Sequence, residues 1–383
     1  MQKIAVLSIS ALIISFVSVS GVFPTLADDL GVTQMQSELM MTIPALAVII
    51  FIFVSNVVVE KIGIKKTVIL GLLISGIGGV FPVFVQRFVP ILISRFFLGA
   101  GVGLVNTWAV RYITLLFDAK ERAKLMGFRS SAEIMCQTVV AALASLLFRF
   151  GWHMSFLAYG IAFVSAILVL IFVPEVETPR NEHDEAEDFK LPVVVYLLAI
   201  FGALVVVTAA SIAFRFPALA IEVQSLGYNP NVMMTFWPIL SITAAMTYGR
   251  LSEVLGKKLL YLSLFILIAA AFLTGFSNGR YSMLVAGLFL HGVAPAWFFP
   301  FIFMTVSKMT TGRAQSIAFS YIVIGIKSGV FLIPFVVSFI ELVSGSNELT
   351  VPYPILGSVL AVATIFIATV GEKIVKKAYI SEE

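Results

Sequence analysis

The chain has 383 residues, 60% of them hydrophobic and 12% charged, with a net charge of +4. Soluble domains are about 45–50% apolar and about 25% charged, so this much apolar surface needs lipid as its solvent, which excludes a cytosolic enzyme. One cysteine, Cys136, excludes an internal disulfide framework, and His153, His183 and His291 have no metal-ligand spacing, so neither a metal nor a cofactor is expected.

A helix needs about 20 apolar residues to cross the bilayer core. Twelve runs meet that length: 4–27, 38–59, 67–86, 89–117, 125–148, 154–173, 191–218, 231–252, 259–277, 281–306, 314–340 and 351–371. The first is read as a span and not as a cleaved leader, because no small-x-small site closes it and eleven further spans follow. Backbone groups in lipid must be satisfied within the segment, and no run alternates as a barrel strand would, so the spans are helices.

Twelve spans put both termini on one side. Alternate loops hold Lys3, Lys61, Lys65, Lys66, Lys120, Arg122, Lys124, Arg180, Lys190, Lys257, Lys258, Lys308, Arg313, Lys373, Lys376 and Lys377, whereas the others hold only Arg87, Arg149 and Arg280. The positive-inside rule then makes both ends cytoplasmic in a multi-pass protein of the cell membrane. No basic run is long enough for nucleic acid. The acidic loop 174–190 reads as a solvated linker.

The chain repeats itself. Phe23-Pro24-x-Leu26-Ala27 recurs as Phe216-Pro217-x-Leu219-Ala220, Glu60-x-x-Gly63 as Glu253-x-x-Gly256, and Gly99 as Gly292, all 193 residues apart. Arg122-Ala123 and Phe128 recur 191 residues later as Arg313-Ala314 and Phe319. Two six-span bundles, 1–173 and 191–383, are therefore expected in the same orientation, with a cleft between them.

These residues resemble the major facilitator superfamily over essentially the whole chain. Asn56-Val57-Val58-Val59-Glu60-Lys61-Ile62-Gly63-Ile64-Lys65-Lys66 is similar to the family's loop between spans 2 and 3, and Gly249-Arg250-Leu251-Ser252-Glu253-Val254-Leu255-Gly256-Lys257-Lys258 is its second copy. Arg95-x-x-x-Gly99-x-Gly101-x-Gly103 resembles the span-4 motif of proton-coupled members, with Leu98 in place of the frequent Gln. Gly151-Trp152-His153-x-x-Phe156 looks like the turn between spans 5 and 6, with His153 for the usual Arg, while the Gly-Pro-rich span-5 motif of drug antiporters is not visible. The resemblance implies an all-α membrane protein of twelve helices in two pseudo-symmetric six-helix bundles, working by alternating access. It also implies a cytoplasmic gate at Glu60, Gly63, Lys65, Lys66, Glu253, Gly256, Lys257 and Lys258.

Charge inside hydrocarbon costs at least about 2.5–3.5 kcal/mol on insertion scales, so depth selects the candidate site residues. Arg111, Arg215 and Arg250 lie near span ends and can snorkel. Arg129 and Glu133 are four apart on one helical face, which fits an internal ion pair. Glu133, read as the one acid well inside a span, is the proton-carrier candidate. Lys327 is about 20 Å into its span and too deep to snorkel, and Arg95 leaves substrate contact, proton coupling and packing all open. The serines of span 1 (Ser8, Ser10, Ser15, Ser18 and Ser20), Asn106, Trp108, His291, Trp297 and Tyr321 complete the pathway candidates.

No phosphate-cradling loop, dinucleotide fingerprint or nucleophile constellation is present, so energy has to come from a gradient. The expected function is secondary transport of a small solute, an organic anion moved with protons because deep cations outnumber deep acids. Efflux of amphipathic compounds by proton antiport is the alternative. The expected partners are a small-molecule substrate, a proton or other coupling ion and the lipid bilayer, with the protein a monomer.

Overall fold

The computed structural model describes residues 1–11, 18–176, 191–224, 228–310 and 312–371, and every regular element among them is helical. Among the described residues, eleven helices are long and apolar enough to cross a membrane. They account for eleven of the twelve expected spans. The other, 4–27, includes residues outside the described set. On either side of these stand α1 (Gln2–Ala11) and the short α2 (Phe23–Leu30), with Pro24 in the first turn of α2. Ser15, most of the 174–190 linker, Lys373, Lys376 and Lys377 also lie outside the described residues.

Local chemistry sets several helix ends. Helix α3 (Gln34–Ile62) starts at a reciprocal cap: Thr33 Oγ1 accepts from the Gln36 N–H at 3.2 Å, and Gln36 Oε1 accepts from the Thr33 N–H at 2.9 Å. Gly63, at φ +85°, separates α3 from α4 (Ile64–Val80), and Gly256, at φ +51°, separates α9 (Asn231–Leu255) from α10 (Lys258–Gly275). Both glycines of the repeated loop thus occupy the left-handed region that side chains avoid, which is why the loop can be so short. Helix α6 (Ala119–Leu147) is capped by Asp118, which accepts from the Glu121 N–H at 2.8 Å.

The duplication appears at the level of whole elements. Helices α5 (Phe88–Leu116) and α11 (Tyr281–Met309) have 29 residues each and start and end 193 positions apart, the offset shared by the repeated motifs. The repeats are not identical in detail. Phe23-Pro24 begins a short helix, whereas Phe216-Pro217 lies within α8 (Val193–Gln224).

The backbone sorts into two compact units: Met1–Glu182 with Gly227–Pro238, and His183–Leu226 with Ile239–Glu383. In the first, Ile9, Val59, Val68, Trp108, Tyr112 and Val169 anchor one apolar core among α1, α3, α4, α5 and α7 (Ile161–Phe172). Small residues let the backbones meet there. A Cβ on Gly99 would stand 2.2 Å from the Pro44 carbonyl oxygen, and one on Gly101 would stand 2.3 Å from that of Gly71. Where lipid tails remove the hydrophobic drive between helices, such close approach supplies the dispersion attraction instead. The segment 227–238 joins this unit through Asn229, whose amide donates to the Ser145 carbonyl at 3.3 Å, and through Asn231 packed on Gly21.

In the second unit, Gly325 and Gly329 bring α12 (Gly312–Ser344) against the α8 backbone at Ala199 and Ala203. Helices α9 and α11 meet through a bulkier device. The Trp297 indole N–H donates to the Ala244 carbonyl at 2.8 Å, and the Ser241 hydroxyl donates to the Gly292 carbonyl at 2.9 Å. Helix α13 (Pro352–Phe366) ends in a single π-helical turn, Ile367–Gly371.

Candidate functional site

Arg95 is fully buried in the first unit. Its Nε–H donates to the Met40 carbonyl at 3.2 Å and its Nη1 donates to the Tyr159 hydroxyl at 3.0 Å. The guanidinium also lies 5.7 Å from the Phe23 ring centre and 5.4 Å from that of Tyr159. One charge therefore ties α5 to α3 and to the 3-10 segment Trp152–Gly160, with aromatic faces completing its shell. None of those partners is close in sequence, so residue type alone could not single out packing.

The ion pair read from the i,i+4 spacing is formed. Arg129 Nη2 stands 2.7 Å from Glu133 Oε1, with about a fifth or less of each side chain exposed, and Arg129 Nε donates to the Ser10 hydroxyl at 3.1 Å. A serine from span 1, a cation and an acid are thus brought together between α1 and α6. Asn106 is half-buried on α5. Trp108 is buried in the apolar core, its ring 5.1 Å beneath the Arg111 guanidinium, and its indole N–H has no hydrogen-bond partner among the described residues.

In the second unit, Lys327 is half-buried on α12, 15 residues after Gly312 or about 22 Å along the helix at ~1.5 Å per residue. It sits two positions from both Gly325 and Gly329, so at roughly 100° per residue it occupies the side of α12 away from α8. His291 is buried on α11, its Nδ1 in hydrogen-bond contact with the Leu288 carbonyl. Trp297 contacts α9 as described, and Tyr321 is exposed with its ring edge-on to Tyr196 at 5.1 Å between centres. Arg129 and Glu133 therefore share one cluster, whereas Lys327, His291, Trp297 and Tyr321 are distributed over α11 and α12.

At the repeated loops, Glu60, Lys66, Glu253, Lys257 and Lys258 are exposed and Lys65 is half-buried. At the start of α4 lies Glu175, whose Oε1 would stand 2.9 Å from a Cβ on Gly63. A carboxylate there complements the positive end of the helix. Glu175 belongs to the acidic stretch read only as linker, and nothing in its composition distinguished it.

Two further readings change. Arg215 does not snorkel: it is fully buried, and its guanidinium pairs with Glu341 near the end of α12. Two acids escaped notice because they sit at span margins. One is Glu341, and the other is Glu38, which is fully buried on α3 and accepts from the Gln34 amide at 3.0 Å. Glu133 is therefore not alone as a buried or partly buried acid.

The sequence profile of the Major Facilitator Superfamily matches residues 5–246. Sugar transport protein 10 of Arabidopsis thaliana is 28% identical over 151 residues, 38% of this chain and 29% of that protein. The hexuronate transporter of Bacillus subtilis (strain 168) is 23% identical over 251 residues, 61% of this chain and 60% of that protein. The chain thus covers less than two thirds of either relative. The crystal structure of a D-xylose-proton symporter superposes with a TM-score of 0.75 at 16% identity, covering 95% of this chain and 96% of that one.

Proposed function

The chain belongs to the Major Facilitator Superfamily and is a multi-pass membrane transporter rather than an enzyme, and from that premise we propose that it carries a small organic anion together with protons. Two bundles, 1–173 and 191–383, alternate access to a site near the bilayer midplane, and the Lys/Arg bias of the loops puts both termini in the cytoplasm of the cell-membrane protein. The protein works as a monomer.

The observation that carries the anion reading is Lys327. Its ammonium lies half-buried about midway along α12, on the side turned away from α8, which is the depth at which a solute in the pathway would meet a charge. A cation at that depth suits a substrate that carries a negative charge. Likeness to a hexuronate transporter supports an acid bearing hydroxyls as substrate. Glu133 carries the proton. It pairs with Arg129 at 2.7 Å, and making and breaking that pair is the step that couples it to the transport cycle. Glu60, Gly63, Lys65 and Lys66, with Glu253, Gly256, Lys257 and Lys258, close the cytoplasmic side, and Glu175 joins them at the start of α4.

The test is uptake into proteoliposomes under an imposed pH gradient, with a panel of organic acids, sugars, amino acids and cationic dyes. The reading predicts gradient-driven uptake of an acid, lost in Lys327→Ala and uncoupled from the proton gradient in Glu133→Gln. Unchanged acid uptake in Lys327→Ala would remove the anion site. Flux confined to cationic dyes would replace the whole proposal with amphipath efflux.

A further inference from the structure

The second unit contains a groove of about 1480 Å³, larger than the roughly 300–1,000 Å³ of a small-molecule pocket. It runs between α8, α11 and α13, and its inner end is closed by the turn from α9 to α10. Its walls are almost wholly apolar. Leu197, Ile200, Val359, Val362 and Phe366 line it and are exposed, the last three all on α13. Most of its polar groups gather where α9 and α11 end and α10 begins: Tyr248, Ser252, Glu253, Lys257 and Lys308.

The duplication shows that this space is a departure from the fold's own template. Ser252, Tyr261, Phe301 and Thr305 line the groove, and they stand 193 positions after Val59, Val68, Trp108 and Tyr112. Those four are buried in the packed core of the first unit. The same place in the fold is filled in one half and open in the other. Phe301 and Thr305 replace an indole and a phenol, and the position of buried Ile64 is taken by Lys257 at the mouth.

We propose that this groove is a binding site for an anionic phospholipid, one acyl chain lying along the α8–α13 wall and the phosphate at Lys257 and Lys308. The charge at the mouth selects the occupant. Two ammonium groups outnumber the single carboxylate of Glu253, and the neighbouring Lys258 adds a third positive charge. Basic residues at the cytoplasmic ends of transmembrane helices recognise anionic headgroups, and long apolar walls accept the chain attached to them. Val359, Val362 and Phe366 at such exposure form an apolar surface whose natural cover is a hydrocarbon tail.

The full-length protein, purified in a neutral detergent, is titrated with phosphatidylglycerol, with phosphatidylcholine of the same chains and with inorganic phosphate, and bound lipid is counted by native mass spectrometry. Phosphatidylglycerol is expected to bind preferentially. Lys257→Gln/Lys308→Gln is expected to bind it about thirtyfold more weakly, as the loss of two surface cations implies. Lys65→Gln/Lys66→Gln, at the filled end of the first unit, should keep wild-type binding. Thr305→Tyr, which restores the first-half residue, should displace the lipid while the variant remains monodisperse and helical. Equal binding of the two lipids, or undiminished phosphatidylglycerol on the double lysine variant, would overturn the proposal. Binding of inorganic phosphate alone with the same affinity would overturn it too, since the groove would then contribute nothing. If Thr305→Tyr fails to fold, the lysine variants decide.

Discussion

The inner end of the first unit and the corresponding end of the second are built from the same repeat, yet one is packed and the other open. In the first, Trp108 and Tyr112 point into a core shared by α1, α3, α4, α5 and α7, and Val169 and Val173 of the sixth span are buried against it. In the second, Phe301 and Thr305 fill less, and Val362 and Phe366 of the last span are exposed. The difference extends outward along the same helices. Gly99 and Gly101 let α5 meet its neighbours backbone to backbone, whereas Trp297 stands between α11 and α9. A duplicated fold can thus keep helix lengths and turn glycines while reassigning the volume between its helices. Turn geometry is set by a few residues, but interior volume depends on all of them.

The comparison is broken most directly by giving the first half the residues of the second. Trp108→Phe/Tyr112→Thr should open a cavity and cost about 4 kcal/mol, seen as a lowered thermal midpoint in detergent. An unchanged midpoint would mean that the aromatic pair does not hold the core. Arg95→Leu, which installs the side chain found 193 positions later at Leu288, should cost about 3 kcal/mol. It removes the donor that the Tyr159 hydroxyl and the Met40 carbonyl share, and an apolar replacement offers neither one. A midpoint no lower than that of a conservative surface variant would contradict this.

Smaller effects sharpen the contrast. Gly99→Ala forces a Cβ onto the Pro44 carbonyl and should cost about 2 kcal/mol. Gly249→Ala on α9 meets nothing within 4 Å and should stabilise by about 0.5–1 kcal/mol, because the helix regains the propensity that glycine lacks. Chemical or thermal unfolding of the two variants side by side checks both signs.

Much of the scaffold was legible because lipid imposes a one-dimensional rule. Hydropathy over about 20 residues matches the eleven spans among the described residues, and the 193-residue offset of the repeated motifs is also the offset between α5 and α11. The Arg129–Glu133 pair was legible for the same reason, since i,i+4 is a property of one helix. The contacts that escaped are long-range. Arg95 reaches partners 55 and 64 residues away, and Arg215 reaches Glu341 across 126. Glu175 stands by Gly63 although 112 positions separate them. The groove was illegible in a different sense, because no single residue encodes it.

The claim on which the functional account depends is gradient-driven accumulation of a small acid. Its most direct test is the internal concentration of that acid in proteoliposomes holding the purified chain, measured with an inward proton gradient before and after a protonophore. The account predicts accumulation above the external level that collapses when the gradient is discharged. Equilibration without accumulation, or accumulation indifferent to the protonophore, would contradict it.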